Sequence, residues 1–241
     1  MPRGPGAATH GALAHPSPRV RIERAEHDPP MNPSPLRFHF DYLSPYAYLA
    51  WTQVHALAAR HGRTVEPVPV LFAALLDHWG TKGPAEVAPR RVYVFKDVLR
   101  SARRLGVPLA PPPTHPFNPL LALRASSLPM EATQRASFIT ALFAEVWGGG
   151  GGVTEASAVA ACASRCGLDG EDIVRRANEP TAREALRAAT SRAIAEGVFG
   201  VPTIVADGEP FWGFDALPHL DAHLGGDDAV DDALLARWAH V

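Results

Sequence analysis

The first regular signal is Leu36-Arg37-Phe38-His39-Phe40-Asp41, where apolar and polar residues alternate with the period of a half-buried strand. The alternation stops at Ser44-Pro45. Serine is a favoured helix N-cap and proline suits the first helical position, so a helix is predicted from here to about Arg60, ending near Gly62. Thr64 to Leu71 is apolar but carries Pro67 and Pro69, which predicts a short or edge strand. A β-α-β unit results.

From about Leu75 to Gly197 the reading is helical. Arg90 to Leu105 is amphipathic and is closed by Gly106 and Pro108. A loop with Pro111, Pro112 and Pro113 follows, then helices over Pro119–Ser127 and Ala132–Trp147. The glycine run Gly148 to Gly152 is predicted to be a flexible hinge or loop. It lacks the Lys-Ser/Thr ending that a phosphate-binding P-loop needs. Thr154 is the predicted cap of a helix carrying Cys162 and Cys166 and ended by Gly167, and Thr181 to Glu196 is the last helix before Gly197.

Strand character returns in Thr203–Ala206 and Glu209–Trp212, joined by Asp207-Gly208, a type I′ hairpin signal. A helix over Asp215–Leu224 completes a β-β-α unit, and Gly225–Val241 is an acidic, weakly helical, peripheral tail. The expectation is an α/β protein with a split thioredoxin fold. Residues 36–74 and 198–224 form the thioredoxin-like part, 75–197 a large all-helical insertion domain, and 225–241 the C-terminal tail.

Residues 1–35 hold eight prolines and no apolar h-region, which reads as a disordered extension rather than a secretory signal. Met31, just before the first strand, is a candidate start, and the cytoplasm is the expected compartment. A formal charge of −2 gives no support to nucleic-acid or polybasic membrane partners, and no apolar stretch is long enough to span a bilayer. With only Cys162 and Cys166, a disulfide framework and a four-cysteine zinc site are excluded. Three residues separate the pair, so it is not a C-x-x-C redox motif and reads as two small core residues. The histidines form no ligand pair beside a carboxylate, so no metal is expected.

The candidate chemistry lies in two short segments. Ser44 stands where a strand feeds a helix N-terminus, and there free N–H groups and the helix dipole favour an anion. Its hydroxyl cannot form a disulfide, but it can donate to a thiolate that a ligand brings; alternatively it only caps its helix. In Phe199-Gly200-Val201-Pro202-Thr203 a cis Pro202 would turn the Val201 backbone outward to pair with a bound peptide; alternatively Pro202 only opens a strand.

Four blocks carry a resemblance: Phe40 through Ala50 (FDYLSPYAYLA), Leu105 through Leu109, Gly197 through Thr203, and Phe211 through Asp215. On these the chain, from about Leu36 to Leu224, resembles the 2-hydroxychromene-2-carboxylate isomerase family, relatives of kappa-class glutathione transferases and DsbA-type oxidoreductases. The resemblance implies glutathione as cofactor, Ser44 activating its thiol, and Val201 pairing with its backbone ahead of Pro202. It implies that Trp212, Gly213, Phe214 and Asp215 hold the γ-glutamyl end, and that the enzyme is a homodimer acting on a small aromatic substrate.

The acceptor half departs from that pattern. Where the family carries a lysine and an Asn-Arg pair, this chain has Leu75-Leu76 and Ala85-Glu86-Val87, and Phe214 replaces a polar residue. Lys82, His115 and Asn118 remain as candidate substrate groups; alternatively Asn118, which precedes a proline, only shapes a turn. The implied reaction is isomerisation of a chromene-carboxylate or related conjugated keto-acid by reversible thiolate addition. A glutathione transferase or a non-catalytic glutathione-binding module are the alternatives, and the absence of cysteine at position 44 argues against a thiol-disulfide oxidoreductase.

Overall fold

The computed structural model describes residues 33–238. The expected N-terminal extension therefore lies outside the described residues, apart from 33–35. A four-stranded mixed sheet has the order β2-β1-β3-β4. Strand β1 (Leu36–Phe40) runs parallel to β2 (Val65–Pro69) and antiparallel to β3 (Thr203–Ala206), which in turn pairs with β4 (Glu209–Trp212). Pro67 and Pro69 sit in the edge strand β2, where proline removes no interior ladder bond. The β3–β4 turn has positive φ at both Asp207 (52°) and Gly208 (94°), as a type I′ turn requires.

The alternation in β1 divides its side chains between two faces. Leu36, Phe38 and Phe40 are fully buried in the larger core, against helix α1 (Pro45–Arg60) and helix α5 (Ala132–Trp147). Phe40 packs at 5.4 Å from Tyr42 and 5.5 Å from Phe143, between ring centroids. Truncation of such a ring to alanine costs about 3–5 kcal/mol. Three buried polar tips anchor the cluster. Tyr42 Oη bonds Ser126 Oγ at 2.6 Å, Trp147 Nε1 donates to Tyr42 O at 2.9 Å, and Trp51 Nε1 donates to Thr140 Oγ1 at 2.8 Å. A second, smaller core of Val70, Leu75, Ala193, Val198, Val201 and Val205 fills the opposite side of the sheet.

Between β2 and β3 every regular element is a helix: α2 (Phe72–Trp79), α3 (Ala88–Leu105), α4 (Leu120–Ser126), α5, α6 (Ala156–Arg165), α7 (Gly170–Ala177) and α8 (Pro180–Ala195), joined by loops and one 3₁₀ turn. After β4 come a single 3₁₀ turn (Phe214–Ala216), α9 (Leu217–Leu224) and α10 (Asp232–Trp238). The α/β thioredoxin fold with a helical insertion is thus present, and no helix among the described residues is long and apolar enough to cross a membrane.

Several local expectations are corrected. Glu155, not Thr154, occupies the N-cap of α6, and Cys166 is its C-cap, so only Cys162 lies within the helix. Asp169 caps α7 by accepting from Asp172 N at 3.0 Å; this short helix follows so closely on Gly167 that sequence periodicity does not separate it from a loop. The last β-β-α helix starts at Leu217, because the 3₁₀ turn takes up Asp215. The glycine run is no free hinge. Gly152 N and Gly151 N bond Glu145 O and Oε1, and a Cβ on Gly150 would stand 2.6 Å from Glu145 O. Glycine is needed there because the chain folds back onto the end of α5.

Candidate functional site

Ser44 is held by the sequence on either side of it. It follows β1 and has extended backbone angles (φ −93°, ψ 112°), and Pro45 starts α1 directly after it. Its Oγ accepts from Ala47 N at 3.1 Å, which uses one of the free N–H groups of the helix start, and donates to Val201 O at 3.3 Å. Val201–Pro202 is a cis peptide bond. The two sequence segments singled out for chemistry, 157 residues apart, therefore touch.

They meet on the wall of a cavity of about 1910 Å3 that runs along α1 and α3. Val201 N–H has no hydrogen-bond partner among the described residues. Trp212 lies over Gly200, and its ring meets Phe199 edge-on at 5.0 Å. Gly213 has a φ of 99°, and a Cβ there would stand 2.4 Å from Asp215 Oδ1, so both the turn and the carboxylate position need glycine. Asp215 is exposed on the cavity wall with no hydrogen-bond or ion-pair partner among the described residues. Phe214 borders the cavity but packs into the larger core.

The substrate candidates part company. Lys82 lines the cavity and has no ion-pair partner among the described residues. His115 also lines it, and its Nε2 lies 3.0 Å from Leu43 O. A carbonyl only accepts, so Nε2 carries the hydrogen, while the buried Nδ1 has no partner among the described residues. The ring thus braces the turn just before Ser44. Asn118 is not brought to the cavity: its Oδ1 accepts from Leu120 N at 3.0 Å and shapes the entry to α4.

The structure adds residues that sequence reasoning passed over. Arg90, Arg91 and Tyr93 of α3 line the same cavity, and neither arginine has a carboxylate partner among the described residues. The amphipathic pattern of α3 was the available signal, but it does not say which polar face meets the site. Tyr46 Oη donates to Asp97 Oδ2 at 2.8 Å and ties α1 to α3 across the cavity. Burial, then that bond and the nearby acid charges, push the Tyr46 phenol well above its ordinary range. Asp41, fully buried at the end of β1, accepts from Leu43 N and from Phe72 N, each at 3.0 Å. Burial raises its carboxyl to about 6, against the lowering by those two bonds. It joins the Ser44 turn to the first residue of α2.

Neither cysteine lines the cavity. Cys162 is buried, with Arg165 Nη2 at 3.1 Å from its Sγ, and burial pushes its thiol up to about 11. Such a thiol is a poor nucleophile.

Comparison with known proteins bears on the fold and the family. The DsbA-like thioredoxin domain profile matches residues 36–225. The chain is 31% identical to a 2-hydroxychromene-2-carboxylate isomerase of Sphingobium xenophagum, covering 78% of this chain and 97% of that protein. It is 24% identical to glutathione S-transferase kappa 1 of Rattus norvegicus, over 81% of this chain and 93% of that one. A solved 2-hydroxychromene-2-carboxylate isomerase structure superposes with a TM-score of 0.74 at 27% identity, covering 79% of this chain and 94% of that chain. Relatives that are isomerases and glutathione transferases support enzymatic activity here. The chain belongs to the 2-hydroxychromene-2-carboxylate isomerase family of DsbA-like thioredoxin proteins, related to the kappa glutathione transferases.

Proposed function

We propose that the protein is a glutathione-dependent isomerase of a conjugated aromatic carboxylate, such as a chromene-carboxylate or a related keto-acid. The observation that carries this reading is the single hydroxyl hydrogen of Ser44, poised at a helix N-terminus and bonded to Val201 O at 3.3 Å. That distance is long for an O–H···O bond, which is commonly about 2.7–2.8 Å, so the donor is released at small cost.

Glutathione fits the residues present. Val201 offers an unpaired N–H and a carbonyl to an extended peptide. When a peptide N–H of the ligand takes over Val201 O, the Ser44 hydroxyl is free to turn to the thiol sulfur. The hydroxyl and the positive end of α1 then favour thiolate over thiol. Asp215, exposed and without a partner among the described residues, suits the γ-glutamyl ammonium. The first N–H groups of the 214–216 turn have no intrahelical acceptor and suit its carboxylate.

Bound glutathione supplies a thiolate that adds reversibly to a conjugated system. The chain's own residues orient it, hold the acceptor and limit water. Leu76, Ala85 and Glu86 on the cavity wall leave the acceptor half without the lysine and Asn-Arg pair of the family pattern. Lys82, Arg90 and Arg91 line that cavity and offer cations for a substrate carboxylate. The kappa transferase relatives favour a second reading, in which glutathione stays attached to the acceptor.

The test is turnover of 2-hydroxychromene-2-carboxylate with substoichiometric glutathione. Turnover that needs glutathione and conserves free thiol supports the isomerase. Turnover that consumes thiol mole for mole supports the transferase, and glutathione binding with no turnover on any aromatic acceptor leaves a binding module. We further propose a cytoplasmic location, consistent with a reduced glutathione supply.

A further inference from the structure

The cavity extends well past the site built around Ser44. At about 1910 Å3 it is roughly twice the upper end of small-ligand pockets, about 300–1,000 Å3. The Tyr46 Oη–Asp97 Oδ2 bond crosses it and marks two halves. The Ser44 half holds Val201, His115, Lys82, Arg90 and Arg91. Beyond the bond, α1 continues with Leu57 and Arg60, and α3 with Arg100, Arg104 and Leu105, each set spaced to share one helical side. Leu217 of α9 closes the floor.

This far half is cationic. Arg100 and Arg104 are exposed on the cavity wall and have no acidic partner among the described residues. They stand four residues apart on one side of α3, where like charges repel each other. Arg60 faces the same space from α1. Its Nη2 lies 3.0 Å from Asp221 Oδ2, and that carboxylate also takes the His61 Nε2 contact at 2.7 Å, so Asp221 is already engaged. Cations in a last turn complement the helix dipole, which accounts for Arg60 and Arg104 singly. It does not account for Arg100, a turn earlier, or for three arginines around one concavity. The end carbonyls of both helices are closed by backbone N–H groups, among them Gly62 N on Ala59 O and Val107 N on Ala102 O. Full arginine charges, not the helix ends, therefore set the local potential.

Arg104 lies about 20 Å along α3 from Arg91, at 1.5 Å per residue, so one small aromatic acid held by Arg90 and Arg91 does not reach it. The far half therefore calls for a ligand of its own. Leucines on the floor and arginines at the rim suit an anion with an apolar body. A guanidinium fork matches a carboxylate or a phosphate, in both cases bidentately. We infer that the far half is a second binding site, for an amphipathic anion. Its headgroup sits on Arg100 and Arg104, and its apolar body lies along Leu57, Leu105 and Leu217. This site does not depend on glutathione, which occupies the Ser44 half in the proposed mechanism.

The test is calorimetric titration of decyl phosphate and of decanoate, each below its micelle concentration, into the glutathione-free full chain, with inorganic phosphate and decanol alongside. The expected result is saturable binding of an amphipathic anion, at least about tenfold tighter than inorganic phosphate or decanol and weakened by salt. Tighter binding of decyl phosphate names a phosphate headgroup and tighter binding of decanoate a carboxylate, and either supports the site. Arg100→Gln plus Arg104→Gln should weaken binding roughly tenfold or more and leave the glutathione Kd unchanged. Arg100→Lys plus Arg104→Lys should recover part of the affinity. Arg90→Gln plus Arg91→Gln should leave it unaltered, which locates the ligand in the far half. Circular dichroism and melting curves establish folding of each variant. No binding of either amphiphile, binding that the Arg100 and Arg104 changes do not weaken, or binding lost with Arg90 and Arg91 instead overturns the inference. Glutathione titrated into the same protein reads the Ser44 half separately.

Discussion

Ser44 Oγ donates to the carbonyl of Val201 at 3.3 Å, and this bond joins the start of α1 to the residue before the cis proline. The same oxygen accepts from Ala47 N, the backbone N–H of Ser44 donates to Asp41 O, and the hydroxyl has a single hydrogen to give. Whatever takes Val201 O frees that donor. Binding of a peptide backbone and activation of its thiol are thereby coupled through one carbonyl in the proposed mechanism.

His115 holds the turn behind Ser44 through Leu43 O. Replacing it with Phe keeps an aromatic ring among Phe95, Phe117 and Trp147 but removes the donor. His115→Phe is expected to lose about 1–2 kcal/mol of stability in denaturant melts and to weaken glutathione binding. His115→Asn, which can still donate to a carbonyl, should recover part of the binding. Equal binding by wild type and the Phe variant would show that the bond does not matter to the site.

Gly200 lies under Trp212. A Cβ there would stand 2.5 Å from the indole Nε1. Trp212 is 54% exposed, so its ring can swing away at little cost to the fold. Gly200→Ala is therefore expected to change stability by less than about 1 kcal/mol while weakening glutathione roughly tenfold, as a displaced aromatic contact does. Calorimetric titration beside a melting curve separates the two effects.

His39 on β1 and Asp41 just after it act on stability with opposite signs. Burial, then the charge of Arg37, lowers His39 to about 4, so between pH 4 and its ordinary 6.5 the unfolded chain binds more protons and stability rises with pH. Burial raises Asp41 to about 6 from 3.8, so between those values the native chain binds more protons and stability falls as pH rises. The two offset each other. Wild-type stability should be nearly flat from pH 4 to 6, Asp41→Asn should gain stability with rising pH, and His39→Gln should lose it, each slope on the order of 3 kcal/mol across the window. Denaturant melts at half-unit pH steps measure these slopes.

Much of the frame was legible because short-range rules govern it. Alternation in Leu36–Phe40, the Ser44-Pro45 start and the Asp207-Gly208 turn give the sheet and its first helix from sequence, and the structure has them in place. The glycine run looked flexible because sequence does not reveal that Gly150 lies against Glu145 O. Asn118 before a proline was open to a turn role or a substrate role, and its bond to Leu120 N bears out the turn role. The roles of Arg90, Arg91 and Asp41 depend on how α2 and α3 pack beside α1, a tertiary matter that periodicity leaves open.

Arg90 and Arg91 test the acceptor side. Arg90→Gln plus Arg91→Gln should raise KM for a carboxylated aromatic substrate by about tenfold or more, the worth of a charge-assisted hydrogen bond, and leave the glutathione Kd unchanged. An unchanged KM would remove these cations from substrate binding.

The central claim is that Ser44 stabilises the glutathione thiolate, and calorimetric titration of glutathione into wild type and Ser44→Ala, with the thiolate followed by ultraviolet absorbance across pH, tests it most directly. The account predicts binding to the wild type with the thiol pKa lowered, and a bound-thiol pKa in Ser44→Ala higher by about 1–2 units, the worth of one hydrogen bond to a charged group. Loss of the helix cap should also cost the variant about 1 kcal/mol of stability. No glutathione binding by the wild type, or the same thiol pKa in both proteins, would contradict the account.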